Sequence, residues 1–252
     1  MNSILTDVQG AVATITLNRP DKRNALNAEV LQELAAAFKK FEHDESVRVV
    51  ILAGNGKVFC AGADLSYLQQ VSQYSILENA ADSRLLQETF HAIYTFPKPV
   101  IAKVHGAAIA GGCGLSTVCD FVVGGREKSL FGYSEVKIGF IPAVVMVYLL
   151  KKIGDTRSRK LLLSAENISA EEAERIGLIT HVCDDAELDD FTQQLALKLA
   201  ANSMSSMMLT KEMMNNLHGM SLDSGLRYAA QMNAFTRMTD DCKAGIASFL
   251  KQ

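Results

Sequence analysis

Little in this 252-residue chain is one-sided. Lysines and arginines number 25 against 28 aspartates and glutamates, a net charge of −3. That balance gives no electrostatic reason to expect nucleic acid as the main partner. The short basic pairs Lys39-Lys40 and Lys151-Lys152 read as solvated helix faces. No uncharged apolar run reaches the roughly 18 residues that a membrane span needs. The opening MNSILTDVQG lacks a charged segment followed by an apolar one, so no secretory leader is expected. The five cysteines, Cys60, Cys113, Cys119, Cys183 and Cys242, are scattered and odd in number, with neither CxxC nor Cys/His metal spacing. A disulfide framework and a metal centre are therefore not expected, and a reducing, cytoplasmic compartment fits best. Internal repeats and low-complexity linkers are absent as well. So are a P-loop, a full dinucleotide fingerprint and a GxSxG elbow, which leaves no signal for nucleotide-cofactor chemistry or a covalent nucleophile.

What is present is a well-cored globular composition, 48% hydrophobic and 21% charged. Residues 3–8 and 11–17 read as strands around Gln9-Gly10, the second alternating with period two. Asn27 can cap a helix whose apolar positions are Leu31, Leu34, Phe38 and Phe41. Val47–Leu52 reads as a buried strand, 64–95 as one long helix stopped by Pro97 and Pro99, and 100–104 as a strand. A short helix to Cys119 and strands at 121–123 and 130–131 follow. Ala143–Ile153 is helical, Asp155 or Thr156 can cap a further helix, and Ser169-Ala-Glu-Glu172 reads as a capping box. Only helices are suggested from Leu188 onward. The expected architecture is an α/β core over 1–190 with a helical C-terminal region over 191–252.

The informative stretches are two glycine-containing turns. Ala61-Gly62-Ala63-Asp64 and Ala110-Gly111-Gly112 each follow a strand and start a helix. Each alone is compatible with close packing and nothing more. If the two lie side by side, one N–H from each can point at one carbonyl oxygen, forming an oxyanion hole from backbone alone. Glu135 stands near the second turn, beside aromatics. An acid in an apolar setting has a raised pKa, which suits proton transfer near neutral pH. Tyr67 and Tyr133 lie near these motifs and can donate hydrogen bonds. Asp64 reads as a helix cap, and His91 and His105 as structural histidines.

The motifs KVFCAGADL (57–65), His105-Gly106 with Gly111-Gly112, Cys119-Asp120-Phe121 and SEVKIGFIP (134–142) resemble the crotonase (enoyl-CoA hydratase/isomerase) superfamily, and the likeness runs from Asn18 to Gly245. That resemblance implies an α/β, crotonase-type spiral of ββα turns with a C-terminal helical trimerisation region, in a homotrimer or dimer of trimers. It implies an acyl-CoA thioester substrate, with coenzyme A entering as part of that substrate, and neither metal nor redox cofactor. It assigns the thioester oxygen to the N–H groups of Ala63 and Gly111, and CoA contacts to Arg23, Ala25, Ala61, Asp64 and Leu65. It makes Glu135 the catalytic acid/base.

One departure matters. Where the enoyl-CoA hydratases carry a second glutamate, this chain has Gly114. A single carboxylate suffices for 3-enoyl to 2-enoyl isomerisation, by taking a proton from C2 and returning it at C4. Yet glycine at that position, with Ile141-Pro-Ala-Val144 downstream, also resembles methylglutaconyl-CoA hydratase-like members of leucine breakdown. The expectation is hydration of a short or branched 2-enoyl-CoA, with the isomerase as the alternative. A non-catalytic acyl-CoA-binding protein is the alternative of another class. Installing an acid at 114 is expected to raise hydration where the site has room.

Overall fold

The computed structural model describes residues 2–250, the side chain of Leu65 excepted. Strands β1 (Ile4–Gln9) and β2 (Val12–Leu17) form an antiparallel hairpin pairing Ile4 with Leu17. Helix α1 (Ala28–Glu42) is capped by the Asn27 side chain, which accepts from the Val30 N–H, and it buries Leu31, Leu34, Phe38 and Phe41. Strand β3 (Val49–Gly54) then runs parallel to β2, with Val12 opposite Val49.

From β3 onward the chain repeats one plan: a strand in a large sheet, a short segment in a small sheet, then a helix. The first turn is β3, a bridge from Cys60 to Ala108, then α2 (Leu65–Val71) and α3 (Ile76–Tyr94). The second is β4 (Val100–Val104), β5 (Ala107–Ile109) and α4 (Gly111–Thr117). The third is β6 (Phe121–Gly125), β7 (Leu130–Gly132), a 3-10 turn at Glu135–Ile138 and α5 (Ala143–Ser164). Strand β8 (Ile168–Ser169), α6 (Ala170–Arg175) and β9 (His181–Cys183) complete the core. The large sheet has the order β1-β2-β3-β4-β6-β9 and the small one β5-β7-β8.

Apart from the exposed edge strand β1, the large sheet is covered on both faces. Ala13, Ile15, Leu17, Val50, Leu52, Val100 and Ala102 face the main core. Val12, Val49, Ile51, Ile101 and Val123 face a second cluster closed by Leu188 and Ala196 of α7 (Leu188–Ala200). This explains the unbroken apolar run of β3, since a parallel strand covered on both sides has no solvent face to alternate with. Each valine, leucine or isoleucine among them contributes roughly 1.5–3 kcal/mol by burial. The expected boundary at 190 falls inside α7, which packs on the sheet. The helices α8 (Met204–Leu217), α9 (Leu222–Thr236) and α10 (Asp240–Phe249) lie beyond it. Lys211 ties α8 down by donating to Asp120 Oδ2 at 2.6 Å and to the Lys98 carbonyl at 3.2 Å.

Several local expectations are corrected. The helix predicted over 64–95 is two helices, because Ser75 and Glu78 form a capping box: the Ser75 hydroxyl accepts from the Glu78 N–H, and the Glu78 carboxylate accepts from the Ser75 N–H. The break expected near Asp155 is a kink inside α5, at Gly154 with φ 76°. At Ser169 only half of the box forms, because the Glu172 carboxylate pairs with Arg175 instead. Lys152 is not on a solvated face. Its ammonium donates to the carbonyls of Thr117 and Cys119 at 2.9 and 3.1 Å, and burial holds its pKa below the usual lysine value. No helix among the described residues is long and apolar enough to cross a membrane.

Candidate active site

The three turns of the spiral end on the same side, and each delivers one of the expected groups. The first ends in Ala61-Gly62-Ala63, the second in Ala110-Gly111, the third in Ser134-Glu135. Cys60 and Ala108 bridge the first two turns: the Cys60 N–H donates to the Ala107 carbonyl at 3.1 Å, and the Ile109 N–H to the Cys60 carbonyl at 3.0 Å. Gly62, at φ 91°, is pressed so closely on the second turn that a Cβ there would lie 2.9 Å from the Ala110 Cβ and 3.5 Å from the Gly111 nitrogen. Only glycine meets both demands. The two turns thus lie side by side, as the oxyanion-hole arrangement requires.

Ala110 carries the strain of this junction. Its φ of 51° and ψ of −123° fall where non-glycine residues are rare. Its N–H donates to the Gly132 carbonyl at 2.7 Å, which pins it between the second and third turns. The consequence is at its neighbours: among the described residues, neither the Gly111 nor the Ala63 N–H has a hydrogen-bond acceptor. Two backbone donors are left free at the junction.

Both donors and Glu135 line one cavity of about 460 Å³, with Ala61, Tyr67 and Asp82 also in its wall. Glu135 opens the 3-10 turn, half-buried, and its Oε2 is buried without a hydrogen-bond partner. Burial raises its pKa above the usual 4.5. A larger cavity of about 640 Å³ lies between the core and α8, but apart from the exposed Lys151 its lysines and its aspartate are engaged. Asp120 accepts from Lys211 and from the Val100 N–H, and Lys152 is held by its two carbonyls. The free donors and the free carboxylate are in the smaller cavity.

The other expected residues divide. Ala61 lines the cavity, and its N–H donates to the Arg23 carbonyl at 3.1 Å, which places Arg23 and buried Ala25 on the adjoining loop. Arg23 itself is exposed, in a left-handed conformation. The Asp64 carboxylate turns inward, accepting from the Ser66 N–H and hydroxyl and pairing with Arg19 at 2.9 Å. The Ser66 hydroxyl, with Arg19 beside it, holds its pKa low. Leu65 contributes the first residue of α2, and its side chain lies outside the described residues. Tyr133 is a core residue whose hydroxyl meets that of Thr117 at 2.8 Å. His105 Nε2 faces the Gly56 carbonyl at 3.0 Å. Cys60 and Cys113 are buried, with thiols pushed up to about 12, so neither presents a thiolate. Among the described residues no cluster of three or more His, Cys, Asp or Glu is placed to hold a metal ion.

Three participants carry no signal in the sequence: Arg19, Asp82 and Val145. Arg19 anchors Asp64 and also donates to the Ala25 carbonyl at 2.7 Å. Tyr67 donates to Asp82. Val145 fills the space at Gly114, where a Cβ would lie 2.0 Å from the Val145 Cγ1. The room on which a gain in hydration from an acid at 114 depends is therefore absent.

The sequence profile of the enoyl-CoA hydratase/isomerase family matches residues 7–252. A Thermus thermophilus protein that bears the provisional name enoyl-CoA hydratase is 42% identical, over 97% of this chain and 96% of its own length. The 2,3-dehydroadipyl-CoA hydratase of Escherichia coli is 31% identical, over 100% of this chain and 97% of its own. A solved structure from Legionella pneumophila, provisionally described as an enoyl-CoA hydratase/isomerase (crotonase), matches with a TM-score of 0.92 at 34% identity, covering 100% of this chain and 97% of that one. The α/β spiral is thus the crotonase fold, and the chain belongs to the enoyl-CoA hydratase/isomerase family.

Proposed function

We propose that this protein hydrates a short 2-enoyl-CoA at the 460 Å³ cavity. One observation carries the reading: the free N–H groups of Ala63 and Gly111 share that cavity with a buried, unpartnered carboxylate oxygen of Glu135. The two N–H groups hold the thioester oxygen, and charge arriving there as an enolate strengthens both hydrogen bonds. Each such donor typically contributes about 3 kcal/mol to transition-state stabilisation. Glu135 takes a proton from water as the water oxygen bonds to C3, then returns that proton to C2 as the enolate collapses. One molecule of water is added and the carboxylate is regenerated. The role of Ala61, Arg23, Ala25, Asp64 and Leu65 in this reading is to shape and support the CoA side of the turn. Apart from water, the acyl-CoA is the only small molecule the chemistry requires.

The glycine at 114, closed over by Val145, favours one second reading, the isomerase. There the same Glu135 moves a proton from C2 to C4. The purified protein against crotonyl-CoA, 3-methylglutaconyl-CoA and a 3-enoyl-CoA separates the readings by mass spectrometry. We expect an added water on a 2-enoyl-CoA. Rearrangement of the 3-enoyl-CoA without change of mass, and no hydration, supports the isomerase. Thermal stabilisation by all of them without turnover supports a binding protein.

We further infer a homotrimer or dimer of trimers. Its support is that α9 and α10 leave Leu222, Leu226, Phe235, Ile246 and Phe249 more than half exposed, an apolar surface of the kind that marks association. Light scattering at micromolar concentration is expected to give three or six chains, and a monomer overturns it.

A further inference from the structure

The cavity holds a second acidic group that the proton transfers do not use. Tyr67 on α2 and Asp82 on α3 both line it, half-buried, and the Tyr67 hydroxyl donates to Asp82 Oδ1. This hydrogen bond joins the two helices that the Ser75–Glu78 box separates. It also consumes the one proton that the pair owns, so the pair presents to the cavity only acceptor lone pairs and one negative charge. The wall near it carries Leu68, Val71 and Leu86 from the same two helices, with Asn79 and Ser83 of α3 as its uncharged polar side chains, the Asn79 amide donating to the Tyr74 carbonyl. Glu135 is the other carboxylate in the cavity. Lys137 is the one lysine or arginine among the described lining residues; it is exposed, and neither carboxylate is ion-paired with it.

An acyl chain ending in a carboxylate would enter a half-dry space that already holds two like charges and has no side-chain donor free on the Tyr67–Asp82 pair. Like charges in a low-dielectric site repel far more strongly than in water. An uncharged chain meets no such cost, and a hydroxyl on it can donate to the free Asp82 oxygen. We propose that Asp82, fixed by Tyr67, is a specificity-determining residue that restricts the acyl group to uncharged chains. The inference rests on the hydratase reading. It narrows the substrate class to neutral short 2-enoyl-CoA thioesters and turns away acyl groups with a terminal carboxylate, such as 3-methylglutaconyl.

The test compares kcat/KM for crotonyl-CoA and 3-methylglutaconyl-CoA in the unaltered protein, in Asp82→Asn and in Asp82→Glu. Asparagine keeps the shape and the acceptor for Tyr67 but removes the charge; glutamate keeps the charge. The unaltered protein is expected to prefer crotonyl-CoA at least tenfold, a difference of about 1.4 kcal/mol. Asp82→Asn is expected to narrow that preference fivefold or more, chiefly through KM for the carboxylate substrate, and Asp82→Glu to retain it. A smaller narrowing, or no preference in the unaltered protein, overturns the proposal. If neither substrate turns over, the hydratase reading has failed, and the charge argument is then read from binding alone. Calorimetry with unreactive butyryl-CoA and glutaryl-CoA is expected to give the same preference and the same narrowing in Asp82→Asn, and equal affinities overturn it.

Discussion

Glu135→Gln is expected to lower the hydration rate by about 10²–10⁴-fold, the usual range for removing a general acid/base, while CoA-ester binding persists. The amide fills the same space but can neither take the proton from water nor return it. Among the described residues no neighbour at that oxygen can substitute, since Glu135 Oε2 is buried and unpartnered. The same burial fixes the sign of the pH dependence. Desolvation raises the Glu135 pKa above 4.5, so activity is expected to fall on an acid limb that lies above the ordinary carboxylate range. A raised pKa also means that the folded chain holds this proton more tightly than the unfolded chain does. Stability is therefore lost as pH rises from about 4.5 through the higher folded value, and above it the ionised carboxylate is a constant cost. Glu135→Gln removes that cost. The variant is expected to melt higher than the unaltered protein near pH 7, with the gain gone below pH 4.5. Retention of more than a tenth of the activity would sink the single-acid mechanism, and a lower melting temperature at neutral pH would sink the burial cost assigned to Glu135.

The parts of the site made from backbone were the legible ones. A donor built from an N–H leaves its trace as a run of small residues, since bulk there would block the approach of the second turn. Ala61-Gly62-Ala63 and Ala110-Gly111-Gly112 carry that trace. Their meeting was not written in either run, because it depends on the Cys60–Ala108 bridge between consecutive turns of the spiral. The strands were legible for the same reason that the sheet is stable. Burial on both faces leaves β3 without a polar position and β4 with one, Lys103, whose ammonium reaches Asp189. Side chains that act across space were not legible. Tyr67 and Asp82 are joined only because the Ser75–Glu78 box ends one helix and begins another, and a continuous apolar spacing through 64–95 masks that break. The Lys151-Lys152 pair misled because adjacent helical residues point about 100° apart. One of them can be solvated while its neighbour turns inward to cap the carbonyls at the end of α4.

The position that departs from the hydratases is also the one where sequence reasoning needed the structure. At Gly114 an added Cβ would stand 2.0 Å from the Val145 Cγ1, 2.8 Å from the Val145 Cβ and 3.3 Å from the Phe90 ring. Val145 and Phe90 are buried, so neither can swing into solvent. Gly114→Glu is accordingly expected to destabilise by about 3 kcal/mol, the upper end of ordinary overpacking. That lowers the melting temperature by roughly 6–12 °C for a chain of this size. A gain in hydration is not expected from the single substitution, because the side chain has no space to reach the substrate. Trimming Val145 to alanine leaves its Cβ in the way, so the compensating change is Val145→Gly, which removes both close contacts in the first turn of α5. If Val145 is what closes the position, Gly114→Glu and Val145→Gly couple, and the double variant is more stable than the sum of the two by more than about 1 kcal/mol. Additive melting shifts would show that Val145 is not the obstacle. The double variant is also the protein in which the close Val145 contacts no longer bar a carboxylate at 114. Its rate with crotonyl-CoA, relative to Val145→Gly alone, measures what the missing acid costs: a rise means that hydration here is limited by having one carboxylate, and an unchanged rate in a folded double variant means that Glu135 suffices.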